Sequence, residues 1–323
     1  MRTIGIDIGG ANTKVASAEG NIVELHYVPL WKDTQLPSVL TDVSQRLGPD
    51  RVGVVMTGEL ADCFKDKAAG IRSIMETVDR AFDCDVRYVD NRGRVTDGTG
   101  DTTGLAAANW AASARLIGQE VGDCIFVDVG STTSDIIPIK NGKHVAGTTD
   151  YSRLLNDELV YRGVLRTNIA AMLNRITISR GVCRTSSELF ATTADAYLLL
   201  GDITPDLYTC ETADGAEITE AASARRLARV VCADLSEISE DDVMQMARTI
   251  REIQISELCD AISHISKTHN LNTIVAAGLG EFLVSEAAER LDLDIFSIRN
   301  RWGEDISRVF PAYATARIID MGL

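Results

Sequence analysis

The sequence predicts an α/β protein in which one strand-rich unit occurs twice and the two copies face each other across a cleft. Two segments share one pattern, TIGIDIGGANTKVA at 3–16 and CIFVDVGSTTSDII at 124–137. Each segment begins with a hydrophobic run that ends in Asp, one apolar residue and Gly. A few small polar residues come next, and then a second hydrophobic run. Elsewhere, predicted strands alternate with predicted helices, which is typical of α/β proteins.

Each repeated segment predicts a β-hairpin with a tight turn, because the hydrophobic run resumes immediately after the glycine. The N–H groups and hydroxyls of such turns can bind phosphate. The Asp at each strand end, Asp7 or Asp128, can hold a hydrated cation beside it. We therefore predict a clamp for a polyphosphate and Mg²⁺, with Asp7 and Asp128 on the metal. The predicted phosphate-binding residues are Gly9, Gly10, Asn12, Thr13, Gly130, Ser131, Thr132 and Thr133.

The remaining elements follow from hydrophobic spacing and turn residues. Predicted strands cover 22–30, 51–56, 85–90, 143–147 and 272–277, and predicted helices cover 59–82, 105–118, 186–200, 219–235, 241–265 and 281–291, before a last short strand and a terminal helix. Ser239 and Asp242 form a capping-box start for the helix at 241–265. Asp7 and Asp128 lie 121 positions apart, a separation that indicates duplication of a whole domain.

Composition limits the function classes. The 323 residues are enough for one large or two medium domains. A net charge of −15 argues against non-specific binding to nucleic acid or to anionic membranes. No apolar run reaches the roughly 18 residues of a membrane span. The N-terminus enters a strand at once and has no signal-peptide pattern, so we expect a cytoplasmic protein.

The seven cysteines are scattered and form no C-x-x-C pair. None of the four histidines lies near a cysteine at metal-ligand spacing, so a structural zinc site is not expected. We expect the cysteines to be reduced and buried.

The order of motifs, DIGG at 7–10, DVGST at 128–132 and AAGLG at 276–280, resembles the actin, sugar-kinase and Hsp70 superfamily. That resemblance implies two ribonuclease-H-like domains. We assign 1–104 to the first, completed by a C-terminal helix at about 305–323, and 105–304 to the second, with a helical insertion. Within the superfamily, MTGELAD at 56–62, ANWAA at 108–112 and ELVYRGVLRT at 158–167 resemble the hydantoinase/oxoprolinase-like branch.

The length of the chain is similar to that of the short branch associated with one-carbon metabolism in methanogens and methylotrophs, and within it the chain most resembles proteins of methanofuran biosynthesis. The resemblance implies a transferase in which the phenol oxygen of γ-glutamyltyramine attacks the CH₂ of a furanmethyl diphosphate, and diphosphate leaves. Larger relatives carry an acidic residue after the first turn, where this chain has Lys14, which suits a diphosphate better than hydantoin or oxoproline. The implied partners are small molecules, and the oligomeric state, a homo-oligomer included, is left open.

Each candidate has a structural alternative. Lys14 either reaches a phosphate oxygen or is a solvated strand residue. Asp135 either acts as the base for the phenol, whose ordinary pKa is near 10, or caps a helix or pairs with an arginine. For the possible substrate or nucleotide pocket the candidates are Glu59, Arg162, Arg166, Gly278 and Gly280.

These last candidates also have other interpretations. The two arginines can simply balance the acidic chain, and the glycines suit any strand-to-helix turn. Glu59 can be a first-turn helix residue. The alternative function is an ATP-dependent small-molecule kinase or a hydantoinase/oxoprolinase-like amidohydrolase, either of which would form ADP.

Overall fold

The repeated segments form the two predicted hairpins. In this computed structural model, which describes residues 1–32 and 35–323, β1 (Thr3–Ile8) pairs antiparallel with β2 (Asn12–Ser17). The further strands are β3 (Val23–Tyr27), β4 (Arg51–Met56), β5 (Asp85–Val89), β6 (Val95–Thr96), β7 (Cys124–Val129), β8 (Ser134–Lys140), β9 (Lys143–His144), β10 (Leu159–Val160), β11 (Arg175–Ile178), β12 (Gly181–Arg184), β13 (Thr273–Ala277) and β14 (Asp294–Ser297).

The helices separate and cover these strands. They are α1 (Leu36–Leu47), α2 (Lys67–Ala81), α3 (Asn109–Glu120), α4 (Asp150–Leu155), α5 (Thr193–Leu200), α6 (Glu220–Val230), α7 (Glu240–His269), α8 (Glu281–Leu291), α9 (Ile298–Trp302), α10 (Glu304–Arg308) and α11 (Phe310–Met321). The α/β class predicted from the sequence is confirmed.

Two sheets have equivalent topology. The first has the strand order β3-β2-β1-β4-β5-β6, and the second has β10-β8-β7-β13-β14 with β9 paired to β8. In both sheets, the first strand of the antiparallel hairpin also pairs with a parallel strand on its other side. β1 pairs with β4, and β7 pairs with β13. A parallel neighbour requires a crossover, and helical segments provide it in each copy. The duplication inferred from two short motifs therefore extends over both sheets.

The hairpin register places chemically different residues at equivalent positions. Asp7 is opposite Lys14 in the first hairpin, and Asp128 is opposite Asp135 in the second. Cross-strand partners have side chains on the same face of a sheet and lie close together. Each hairpin therefore presents a pair of ionisable side chains, one on each of the two strand ends that flank its turn.

Helices α3 and α11 pack against each other and join the two halves. Phe310 and Tyr313 of α11 share one buried apolar cluster with Phe126 of β7 and Ala16 of β2. α11 also packs on β1 and β4, where Gly5 leaves no room for a side chain against the α11 backbone. The domain boundaries at 104 and 304 stay a prediction.

Several predicted element boundaries are wrong. The helix predicted over 59–82 begins at Lys67, because Asp66 caps it by accepting a hydrogen bond from Ala69 N at 2.8 Å. The helix predicted over 186–200 begins at Thr193. Helix α1 and the β11–β12 hairpin were not predicted. The capping box of Ser239 and Asp242 at the start of α7 is confirmed.

The cysteine prediction is only partly correct. All seven are free thiols, as expected. Cys124 is buried, but Cys63 and Cys232 are exposed.

Over the ranges 1–32 and 35–323, none of the helices combines the length and apolar character that crossing a bilayer requires.

Candidate active site

A cavity of about 490 Å³ lies where the two hairpin turns meet. Its size is ordinary for a small-molecule site. The sequence-predicted residues that line it are Asp7, Gly9, Gly10, Asn12, Lys14, Asp128, Gly130, Ser131, Thr132, Thr133, Asp135 and Arg166. The fold therefore gathers residues from both copies of the repeat around one space.

The two turns have matching backbone geometry. Gly9 N donates to Asn12 O at 2.9 Å, and Gly130 N donates to Thr133 O at 2.9 Å. A side chain at Gly9 would come within 2.9 Å of Asn12 O, whereas one at Gly10 would meet open space. The turns are thus tightly closed at the base and open towards the cavity, an arrangement suited to anion binding by turn N–H groups and hydroxyls.

Asp7 and Lys14 form an ion pair on the floor of the cavity. Lys14 Nζ lies 3.3 Å from Asp7 Oδ2, and the Asp7 side chain is only 3% exposed. Burial raises the pKa of Asp7, and Lys14 opposes that rise. Burial alone would lower the pKa of Lys14, but Asp7 and Asp128 outweigh it and raise that pKa. Asp7 Oδ1 is buried and has no hydrogen-bond partner within the described part of the chain.

Asp128 is a buried carboxylate whose negative charge is offset only weakly by nearby positive groups. Burial, reinforced by the nearby Asp135 and Asp7, raises the pKa of Asp128 to about 7, while Lys14 acts in the opposite direction. No hydrogen bond or ion pair to its side chain is formed by residues 1–32 or 35–323. A cation placed between Asp128 and Asp7 would offset this accumulation of negative charge.

Asp135 is paired with Arg153, so the predicted alternative of an arginine partner is what the structure contains. Arg153 is buried, also contacts Asp150 at 3.3 Å, and lies over the Trp110 ring at 4.5 Å from its centroid. The guanidinium is therefore held on three sides. The pair fixes the direction of the Asp135 carboxylate, and both residues line the cavity.

Some predicted site residues lie outside the cavity lining. Thr13 is fully buried within β2. Arg162 forms an ion pair with Glu257. Glu59 is buried, its Oε2 has no partner among the described residues, and burial raises its pKa. Gly278 and Gly280 do not line the cavity but pack behind it against Val129.

The two glycines nevertheless shape the site. A Cβ at Gly278 would overlap Asp128 Oδ1 and lie 2.5 Å from Val129 O. Gly280 N donates to Val129 O at 2.8 Å. The β13–α8 turn therefore supports the strand end that carries Asp128, without contacting the ligand space itself.

Sequence reasoning missed several cavity residues. Those not named as candidates include Ala11, Trp31, Thr57, Asn109, Asp150, Arg153, Leu159 and Tyr161. Asp150 and Arg153 had an available signal, because an acidic residue and an arginine three positions apart can share one helix face. Trp31 had none, since it is the folding of the segment after β3 against the first turn that brings it to the cavity.

The donor atoms suit Mg²⁺ bound mainly through water and substrate. Asp7 and Asp128 offer carboxylate oxygens, one of them an unpartnered buried atom. Within the ranges that the structure describes, no cluster of three or more His, Cys, Asp or Glu side chains is arranged to hold a metal. Mg²⁺ characteristically uses one or two carboxylates plus substrate phosphates and keeps several waters. Two carboxylates beside turns that are suited to binding phosphate would meet that requirement.

The duplicated sheets with facing turns define an actin-like and sugar-kinase-like two-lobed protein. The chain superposes with a TM-score of 0.58 on a nucleotide-free acetone carboxylase, at 10% identity over 98% of this chain and 70% of that one. It superposes with a TM-score of 0.52 on a ROK family glucokinase from Streptomyces griseus, at 12% identity over 98% of this chain and 99% of that one. These likenesses concern the fold alone.

Residues 50–321 match the model of the Hydantoinase/oxoprolinase family, and the chain belongs to that family. It is 38% identical, over 99% of its length and 98% of the relative, to the (4-{4-[2-(gamma-L-glutamylamino)ethyl]phenoxymethyl}furan-2-yl)methanamine synthase of Methanocaldococcus jannaschii. A relative of the same name from Methanococcus vannielii is 36% identical over 64% of this chain and 95% of that protein. The resemblance on which the sequence interpretation relied is thus confirmed.

Proposed function

We propose that this chain is a transferase of methanofuran biosynthesis. It joins a furanmethyl diphosphate to the phenol oxygen of γ-glutamyltyramine and releases diphosphate. The name of the Methanocaldococcus jannaschii relative describes an ether between a phenol and a methylfuran, which is the bond that such a transfer would form. Identity across almost the whole of both chains is the observation that carries the proposal.

The cavity supplies groups for both halves of this reaction. The turns at Gly9–Gly10 and Gly130–Thr133 offer N–H groups and hydroxyls to the diphosphate. Lys14, on the cavity floor, adds a positive charge near the leaving oxygen. Mg²⁺, held by Asp7 and Asp128 through water, would supply further charge neutralisation for the departing diphosphate.

Asp135 is the group we assign to the phenol. In the transfer, the bond from the furanyl CH₂ to the diphosphate oxygen breaks and its electron pair leaves with diphosphate. The phenol oxygen forms the new bond to that carbon, and its proton passes to the Asp135 carboxylate. Arg153 keeps the carboxylate oriented, and the furan ring stabilises positive charge on the reacting carbon.

Product analysis tests the proposal directly. Purified protein with Mg²⁺ receives either ATP or a furanmethyl diphosphate with γ-glutamyltyramine, and products are followed by mass spectrometry. We expect the aryl ether and one diphosphate per ether, with no requirement for ATP. Accumulation of ADP with an intact furanmethyl diphosphate would instead favour the kinase or amidohydrolase alternative.

Asp128→Asn tests the metal assignment. Asparagine keeps the shape but removes the charge, so we expect Mg²⁺-dependent binding of inorganic diphosphate to weaken at least tenfold, measured by calorimetry. Asp157→Asn is the matched control, because Asp157 pairs with His264 at the surface and does not line the cavity. Equal binding by wild type and Asp128→Asn would remove Asp128 from the metal site.

A further inference from the structure

Among the residues that the structure describes, Arg166 differs from the other cations of the cavity in having no carboxylate partner. Lys14 pairs with Asp7, and Arg153 pairs with Asp135. The guanidinium of Arg166 instead lies over the ring of Trp31, 4.7 Å from its centroid, and the described residues provide it with no ion pair. Arg166 therefore keeps its hydrogen-bonding fork available for an anion.

The Trp31–Arg166 stack bridges the two phosphate turns. Leu30 N, next to Trp31, donates to Gly10 O at 2.9 Å in the first turn. Arg166 N donates to Ser131 O at 3.0 Å in the second turn. Arg166 is thus tied to the second turn by its own backbone, and Trp31 is tied to the first turn through the backbone of the preceding residue, Leu30. The contact between the two side chains connects the turns.

The stack lies on the solvent side of the cavity. Trp31 is 37% exposed and Tyr161, which also lines the cavity, is 63% exposed, whereas the exposed fractions of Asp7 and Asp128 on the floor are below a tenth. Aromatic surface and an unpaired guanidinium therefore occur together at the mouth. An elongated occupant that runs past the aromatic side chains and ends in an anionic group at the mouth would match both features.

We infer that Arg166, held on Trp31, binds the carboxylate of the γ-glutamyl group and so selects the nucleophilic substrate. The inference rests on the proposed function, because γ-glutamyltyramine carries a phenol at one end and a carboxylate at the other. Carboxylate binding at the mouth orients the phenol inward, towards Asp135. The turns and the metal site remain for the diphosphate.

Binding measurements test this without requiring turnover. Titration calorimetry compares γ-glutamyltyramine with tyramine, which lacks the carboxylate, in the presence of Mg²⁺ and inorganic diphosphate. We expect Arg166→Ala to weaken γ-glutamyltyramine binding by about 10- to 100-fold, the range for a charge-assisted hydrogen bond, and to change tyramine binding less than about twofold. The affinity of Arg166→Lys for γ-glutamyltyramine should lie between those of the wild type and Arg166→Ala, because an ammonium lacks the planar fork.

Arg301→Ala is the matched control, since Arg301 also stacks on an aromatic ring, that of Trp302, but does not line the cavity. Trp31→Ala should reduce the preference for γ-glutamyltyramine by releasing Arg166. Circular dichroism confirms that each variant is folded.

Two results would overturn the inference. In one, Arg166→Ala weakens both ligands equally. In the other, it weakens binding of Mg²⁺-diphosphate and preserves the preference for γ-glutamyltyramine, which would place Arg166 on the leaving group. Failure of the proposed function is a separate result, namely wild-type protein that binds these ligands but forms no ether.

Discussion

Replacing Gly278 by alanine tests how the fold positions Asp128. Gly278 has φ +90°, and its N–H donates to Ser307 Oγ at 3.1 Å. A Cβ at this position would overlap Asp128 Oδ1 and lie 2.5 Å from Val129 O. The Val129 carbonyl accepts a hydrogen bond from Gly280 N and cannot retreat easily. Relief must therefore come from movement of Asp128 or of the β13–α8 turn.

The magnitude follows from two additive effects. A positive φ costs an alanine about 1–2 kcal/mol. Forcing an extra carbon into a closely packed site costs about 1–3 kcal/mol more. We therefore expect Gly278→Ala to lower the free energy of unfolding by about 2–5 kcal/mol.

Gly122→Ala separates the two effects. Gly122 has φ +92°, almost the same as Gly278, but a Cβ there would meet no atom within 4 Å. Urea unfolding followed by circular dichroism measures both variants. We expect Gly122→Ala to show only the conformational cost, and Gly278→Ala to show that cost plus the steric one.

The same pair of variants connects packing with function. A displaced Asp128 should weaken Mg²⁺-dependent diphosphate binding in Gly278→Ala, while Gly122→Ala should bind like wild type. Equal unfolding free energies for the two variants would refute the argument that Asp128 and Val129 leave no room for a side chain at Gly278.

Two further predictions concern stability. Arg226 and Asp195 form a fully buried ion pair at 2.8 Å. Because Arg226→Met would leave a buried charge without its partner, it should lower the free energy of unfolding in urea by about 3–5 kcal/mol. A loss below about 1 kcal/mol would contradict this. Hydrogen bonds from the N–H groups of Ser179 and Ser239 lower the pKa of Asp242 from 3.8 to about 2. The ionised carboxylate therefore stabilises the fold above pH 3.8, and this contribution is lost as the pH falls towards 2. The urea midpoint should consequently drop less between about pH 5 and pH 2.5 in Asp242→Asn than in wild type, and equal drops would exclude Asp242 as a source of acid sensitivity.

Local patterns were sufficient to predict much of the fold. A hydrophobic run broken by Gly specifies its hairpin within a few residues, and the pairing of β1 with β2 and of β7 with β8 follows from it. Strand β4 matches the predicted range 51–56, and α8 matches 281–291. Helix starts were less accurate at 59–82, because apolar residues before Asp66 continued a helical spacing that the Asp66 cap interrupts.

Some residues of the candidate site are likewise placed by local sequence, and others only by the fold. Residues carried by the two turns reach the cavity, because strand register alone puts Asp7, Lys14, Asp128 and Asp135 at the ends of paired strands. Arg162 and Arg166 lie four positions apart in one motif, yet the first pairs with Glu257 and the second stacks on Trp31. Nothing in their local sequence distinguishes them.

The sequence alone determined the duplicated hairpins, the α/β class and the family, since these depend on short-range periodicity, turn residues and continuous motifs. Only the tertiary structure decided that Arg153 holds Asp135, that Asp128 leaves no room for a side chain at Gly278 and that Trp31 meets Arg166 across the cavity. Each of these contacts joins residues from different elements. The pairing of β13 with β7 brings Gly278 to Asp128, and the approach of the two halves brings Trp31 to Arg166, so no local pattern encodes these contacts.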